Sequence, residues 1–425
     1  MINEPRSVEA SPNTLQNVGS PLNAGLDGSI VPVSTIVALA TTTTTEQPPN
    51  TTPFPGPFSA LSEARMVRSC MSFSSSPSVP GRLGQVLVDD ALLGTGLVGG
   101  IMRNNGRFTA AEEMIALGGG VLFQLCDTHS WHRHMDFPGH RHATMYDVLT
   151  IERAVRDCLL QAGVEVWLQA RVAGLDQAQG SVRAVSLENA QRIGGDVFID
   201  TTGSFGPQSF CTEHGNGCVM CVLRCPTFGP RASVAGMAGV AEKQGRKGDG
   251  SIGAMSGSCE FSKDQMDPAL VAELEEKGVL VVPLPPSLVD EKKLGAKACQ
   301  QYALAEYATN IVLLDTGRVK LMTAHLPLDK LRRVRGFERV RYDDPYAGTL
   351  GNSMRYAALS PRDDAMQVQG LDNLFCGGEK AGLLVGHTEA IVTGTLAGHN
   401  AVRHVSGIEP LVLPETLAVG DAIAH

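Results

Sequence analysis

Four cysteines stand close together at Cys211, Cys218, Cys221 and Cys225, the last followed by Pro226. Short spacers let one loop turn its thiolates inward onto a single centre, and Gly215 and Gly217 give the chain the conformational freedom to do so. Three chemistries suit the set. A [4Fe–4S] cluster held by all four thiolates comes first, a four-thiolate structural zinc second, and a redox pair of Cys218 and Cys221 in C-x-x-C spacing third. A second group comprises His129, His132, His134, His140 and His142, five of the eleven histidines. The H-x-H spacings place paired rings on one side of a strand, as metal ligands require, but the surrounding carboxylates and turns form no standard ligand pattern. One histidine acting on a substrate as acid or base therefore ranks ahead of a metal site, with a polar loop near the active site or at the surface as the alternative. A third candidate is Glu379, in the turn Gly377-Gly378-Glu379.

The elements that must position Glu379 run from Gly370 to Arg403. A short apolar strand, Asn373 to Cys376, is bounded by glycines, and apolar helical periodicity resumes near Thr388. Strand, glycine turn and helix in this order bring backbone close to a ligand and direct the positive helix N-terminus toward it. Ala390, Gly394, Ala397, Gly398 and Ala401 recur at spacings of three and four, so one helix face lies close against a sheet or a flat cofactor. A second positioning element is Gly84 to Asp89, an apolar strand ending in an acid. The second strand of a dinucleotide-binding unit ends this way, with the carboxylate, here Asp89, accepting hydrogen bonds from the adenosine ribose. Gly94, Gly96 and Gly99 match a bare G-x-G-x-x-G pattern, but the acid-terminated strand precedes them and Asn104-Asn105-Gly106 interrupts the required helix. They read as a glycine-rich loop passing close to the cofactor.

The string around Leu374-Phe375, Glu389-Ala390 and Gly394-x-Leu-Ala-Gly-x-Asn-Ala resembles the C-terminal flavin-binding signature of FAD-dependent oxidoreductases related to the glucose-inhibited-division (GidA-type) tRNA-modifying flavoproteins. The resemblance implies that the turn at Gly377 and Gly378 lies along FAD and that Glu379 faces the ribityl-phosphate region. It also implies that Gly386, His387 and Thr388 form a helix start pointing at the flavin pyrimidine. A second match covers Tyr146 to Gly203. There the helix Ile151–Gln161 and the strands Val164–Leu168, Arg171–Leu175, Ser181–Leu187 and Asp196–Asp200 resemble the small β-meander of such proteins. Asp200-Thr201-Thr202-Gly203 is its return to the main sheet, which adds Gly203 to the cofactor-binding set. The tail of the cysteine run resembles part of a bacterial ferredoxin motif, with a first spacer of six residues instead of two.

These resemblances imply an α/β fold: a glutathione-reductase-type, FAD-binding Rossmann-like domain with an inserted α+β substrate domain. Residues 81–203 and 346–425 form the FAD part, and 204–345 the cysteine loop and substrate part. The implied activity passes electrons or hydride between a small-molecule substrate and FAD, with the [4Fe–4S] cluster or redox thiols nearby and an electron-carrier protein as partner. The alternatives are a GidA-like flavoprotein acting in tRNA modification, or a protein that has lost FAD binding.

Composition bounds these readings. A net charge of −9 over 425 residues argues against a general nucleic-acid or anionic-membrane binder and sets tRNA behind a small molecule as substrate. A local exception is the run Lys330, Arg332, Arg333, Arg335, Arg339 and Arg341, which suits a solvated face or an anionic partner. No apolar run approaches the ~20 residues of a membrane span. Ten cysteines without a secretory signal point to thiols in a reducing cytoplasm. Residues 1–80, with five consecutive threonines at Thr41–Thr45, proline clusters and the serine-rich Ser72–Ser78, read as disordered or aberrant. The phosphate-binding turn expected roughly 20–30 residues before Asp89 is absent from them. Further on, helices are expected at Phe108–Leu117 with Thr109 as N-cap, at Leu270–Glu276 and at Lys292–Asn310. A strand is expected at Val279–Leu284, and a hairpin joins Ile311–Leu314 to Val319–Met322.

Overall fold

The computed structural model describes residues 84–87, 99–203, 232–246, 250, 254–256, 259–296, 300–323, 326–342, 353–355, 358–382 and 386–424. Two parallel strand pairs underlie the first core. Gln85–Leu87 pairs with Glu165–Trp167, and Phe198–Asp200 with Leu374–Cys376. Phe198, Ile199, Leu374, Phe375 and Cys376 are all buried, the continuous apolar pattern of strands covered on both faces. The 19-residue helix His387–Val405 packs on the second pair. A Cβ built on Gly377 would lie 2.9 Å from the Gly394 Cα, so the small-residue face serves close contact with the end of the strand.

The antiparallel meander is Val172–Ala178, Ser181–Leu187 and Arg192–Gly194; its third strand was not expected, and the outer two expected strands, as Glu165–Trp167 and Phe198–Asp200, join the parallel pairs instead. Asn373 fastens it to the parallel strands: its Nδ2 donates to the Val182 and Asp196 carbonyls (2.8 and 2.9 Å) and its Oδ1 accepts from the Val182 amide at 2.8 Å. At the other end of the helix, Asn400 Nδ2 donates to the Ala365 and Leu411 carbonyls at 2.9 and 2.8 Å, holding the chain's last described segment.

A second core surrounds a four-stranded antiparallel sheet in the order Cys259–Phe261, Val319–Leu321, Asn310–Asp315, Val279–Pro283. The helix Pro268–Lys277 covers one side. Asp267 caps it by accepting from the Ala269 amide at 2.9 Å, and Gly278, with φ 71°, ends it in the left-handed region. Alternation along the strands divides the sheet: Phe261, Leu280, Leu313 and Leu321 face this core, whereas Val312 and Leu314 face Phe137, Ala143 and Met145. Those last residues belong to the antiparallel sheet Ile101–Met102, His140–Tyr146, Ser130–Phe137, which joins the two halves.

Two local expectations change. Lys292–Asn310 is not one helix but three short helical turns, Glu291–Ala296, Gln300–Tyr302 and Glu306–Thr309. Tyr302 stacks on His140 with centroids 4.4 Å apart, and the Tyr307 hydroxyl donates to the Pro138 carbonyl at 2.7 Å. A straight helix would set these two side chains roughly 140° apart around its axis, so reaching the same strand end requires the break. The helix expected from Phe108 begins at Gly106, with Asn105 rather than Thr109 as N-cap. Among the described residues no helix is long and apolar enough to cross a membrane.

Candidate functional site

The turn after Leu374–Cys376 is fixed at nearly every backbone position. The Gly377 amide donates to the Asp200 carbonyl at 3.1 Å and the Gly378 amide to Thr393 Oγ1 at 2.9 Å. Gly378 has φ 69°, which explains a glycine there. The Lys380 carbonyl accepts from the Ser360 amide at 3.0 Å and the Ala381 carbonyl from Arg362 Nε at 2.9 Å. Glu379 lies buried within this short 3-10 turn. Beside it, Thr201 Oγ1 and Ser360 Oγ are buried hydroxyls with no hydrogen-bond partner among the described residues. Such groups cost about 1–3 kcal/mol each when left unmet, so they mark where a ligand's polar atoms are expected.

Lys380, with no exposed surface, anchors the turn from below. Its Nζ donates to Ser233 Oγ at 2.5 Å and to the Glu242 carboxylate, and lies 3.8 Å from Asp200 Oδ2. Asp200, also wholly buried, accepts from the Thr202 amide and hydroxyl (3.0 and 2.6 Å) through Oδ1 and from the Ala235 amide (2.9 Å) through Oδ2.

The start of the long helix is the second half of the site. Thr388 Oγ1 accepts from the Arg103 amide at 2.9 Å, with Arg103 held at φ 59°. The Arg103 guanidinium lies over the Phe123 ring at 5.1 Å and donates through Nη1 to both Asp127 oxygens, while its buried Nε and Nη2 have no partner among the described residues. Glu389, in the first helical turn, pairs with Arg107, and its carboxylate fills the space a Cβ on Gly386 would take. A carboxylate here also complements the positive end of the helix dipole. His387 Nδ1 and the Tyr146 hydroxyl are hydrogen-bonded, and a Cβ on Gly99 would lie 2.9 Å from His387 Cε1.

The structure thus brings Gly99 to His387 and Arg103 to Thr388, and places Gly377, Gly378 and Glu379 one helical turn away. Thr393 links the two groups, since its hydroxyl accepts from Gly378 and donates to the Glu389 carbonyl at 2.8 Å. Gly203 follows Asp200 with φ 82°. Asp89, Gly94, Gly96 and the four cysteines Cys211, Cys218, Cys221 and Cys225 lie outside the described residues. Arg103, Tyr146, Asp200, Thr201 and Lys380 were not among the sequence candidates. Lys380 directly follows the turn acid and Asp200 opens the meander return, so both stood within recognised motifs; Arg103 carried no such signal.

The histidines form no common metal site among the described residues, although His134 and His142 both pack on Phe108. Strand register shifts between Ser130 and Phe137, and left-handed His134 and His142 (φ 56° and 62°), break the alternation that H-x-H spacing assumed. His132 turns to Asp315 at 3.1 Å. His140 is stacked between Phe137 and Tyr302, its Nδ1 donates to the Pro138 carbonyl at 2.8 Å, and burial pulls its pKa down to about 4. It is a neutral packing group, not an accessible acid. Among the described residues no cluster of three or more His, Cys, Asp or Glu side chains is arranged to hold a metal. Burial pushes the Cys376 thiol, on the site's central strand, up to about 12, which removes it as a thiolate.

A mixed α/β fold with a meander returning to a parallel pair, a glycine-lysine turn and a small-faced helix is that of the GidA flavoprotein class. Solved structures agree: Aquifex aeolicus GidA in its form II crystal superposes with a TM-score of 0.55 at 14% identity, covering 78% of this chain and 61% of that one. Its form I crystal gives 0.53 at 12%, covering 77% and 63%. The family described as "Glucose inhibited division protein A" matches residues 91–265 and 296–409, more than half of the chain, and the chain belongs to it. Among curated relatives is the methylenetetrahydrofolate–tRNA-(uracil-5-)-methyltransferase TrmFO of Bacillus cereus (strain G9842). It is 40% identical over 84 residues, 20% of this chain and 18% of that protein. The enzyme of the same name from Lactiplantibacillus plantarum is 28% identical over 163 residues, 37% and 35% of the two chains. The matches to these two relatives span about a third or less of their length.

Proposed function

We propose that this protein is a FAD-binding enzyme of tRNA modification. The observation that carries the cofactor assignment is the set of unmet buried polar atoms, Thr201 Oγ1, Ser360 Oγ and Arg103 Nε and Nη2, around a turn and helix start of the GidA family. Gly377, Gly378 and Glu379 would line the flavin on one side, and Gly99, Gly386, His387 and Thr388 on the other, with Gly203 below. FAD would supply hydride or electron transfer. The chain's own residues bind and orient it: the fixed turn presents Glu379, and the Tyr146–His387 hydrogen bond orients the imidazole ring. The names of the relatives support tRNA as substrate in preference to a small molecule alone. Exposed Arg332, Arg333, Arg335, Arg339 and Arg341, clustered on a chain that is otherwise acidic, suit a polyanion. An iron–sulfur cluster at the four cysteines, with an electron-carrier protein as donor, rests on spacing alone, and iron and sulfide analysis of anaerobically purified protein decides it.

The deciding experiment is the visible spectrum of the purified protein with Glu379→Ala alongside. Flavin bands in the parent and reduced FAD content in a folded variant are expected. Absence of flavin binding by the parent, or equal content in both, overturns the assignment.

A further inference from the structure

A buried ammonium group sits directly beneath the turn that presents Glu379, and its partners come from a separate stretch of chain. Ser233 and Glu242 belong to the Ser233–Gln244 segment. That segment is docked by two further ties: the Ala235 amide on Asp200, and the antiparallel pairing of Lys243–Gln244 with Ala358–Leu359. Ser360, next in the chain, donates to the Lys380 carbonyl at 3.0 Å. Both ends of Lys380, backbone and side chain, are therefore held by the neighbourhood of this one segment.

Lys380 keeps both of its hydrogen bonds only when the segment is docked. Its Nζ donates to Ser233 and to Glu242, while Asp200 lies at ion-pair distance, 3.8 Å. Undocking removes the two short bonds and leaves a wholly buried charge with a single distant carboxylate, which is strongly unfavourable. Lys380 must then move toward water. Glu379 precedes it in the same single helical turn, so the carboxylate shifts with it.

We propose that Lys380 is a positioning residue that joins two events into one equilibrium: occupation of the cofactor turn and docking of the Ser233–Gln244 segment. The proposal rests on the FAD reading above. Coupling of this kind is reciprocal: if docking places Glu379 for the ligand, the ligand must stabilise docking by the same factor.

Amide hydrogen exchange of the full chain, titrated with FAD, tests it. In the parent, FAD should slow exchange throughout 233–244, a segment that supplies none of the proposed flavin contacts. Glu242→Gln keeps a hydrogen-bond acceptor but removes its charge. It should weaken FAD binding by about tenfold, within the usual range of coupling, and lose the FAD-dependent protection of 233–244, with a lower melting temperature in the FAD-free protein because Lys380 loses its charged partner. Lys380→Met should show a larger loss. If Lys380→Met fails to fold, the parent titration and Glu242→Gln still decide. Unchanged exchange in 233–244 on FAD binding, or parental FAD affinity in Glu242→Gln, overturns the coupling while leaving the cofactor assignment intact. A parent that binds no FAD overturns both.

Discussion

The two cores are built on different terms. Around the four-stranded sheet, packing is aliphatic and aromatic, the faces alternate cleanly, and the buried charges Glu260 and Lys320 are direct cross-strand partners joined at 3.2 Å. Around the parallel strands, contact is made through glycines, with Gly377 on Gly394, and hydroxyl and guanidinium groups are buried with hydrogen bonds unmet among the described residues. The difference separates a region packed chiefly through apolar side chains from one packed through glycines and polar groups. Stability should accordingly be most sensitive in the first and binding in the second.

The largest effect should come from Lys320→Ala, which takes the ammonium group away from buried Glu260 and should cost about 3–5 kcal/mol in denaturant unfolding. Replacing both by methionine should restore most of that loss, and failure to do so would show that the pair has a role beyond its own charges. Next is His140, at the contact between the two halves. Its folded pKa of about 4 lies below the ordinary 6.5, so between these values the unfolded chain binds more protons. Stability should be complete above pH 6.5 and fall by about 3 kcal/mol toward pH 4. His140→Phe should flatten that dependence, and an unchanged slope would assign it elsewhere. Gly377→Ala presses a methyl onto Gly394 backbone, which cannot yield, and should cost about 1–3 kcal/mol together with FAD content. Smallest is Thr201→Val. It should change the stability of FAD-free protein by less than about 1 kcal/mol, since it removes an unmet hydroxyl, yet weaken FAD binding. A clear destabilisation without an affinity change would blur the contrast between the two regions.

The parts legible in the sequence were those whose cause is local. The strand at Leu374–Cys376, the glycine turn and the small-faced helix follow from periodicity and from Gly394 and Gly398, and the meander from alternation. Tertiary causes stayed hidden. Tyr302 and Tyr307 break the predicted helix because both answer to a strand end at Pro138–His140. The histidine pairs lose their common face to bulges set by register, which no spacing reveals. In the site, Glu379 was readable from its place in a motif. Lys380 stands in the same motif, but its role was hidden, because its partners Ser233 and Glu242 lie over a hundred residues away, with separations of 147 and 138.

Asp200 binds the Thr202 amide with one oxygen and the Ala235 amide with the other. One buried carboxylate therefore sets the spacing between two stretches of chain, and Asp200→Asn would loosen both attachments at once.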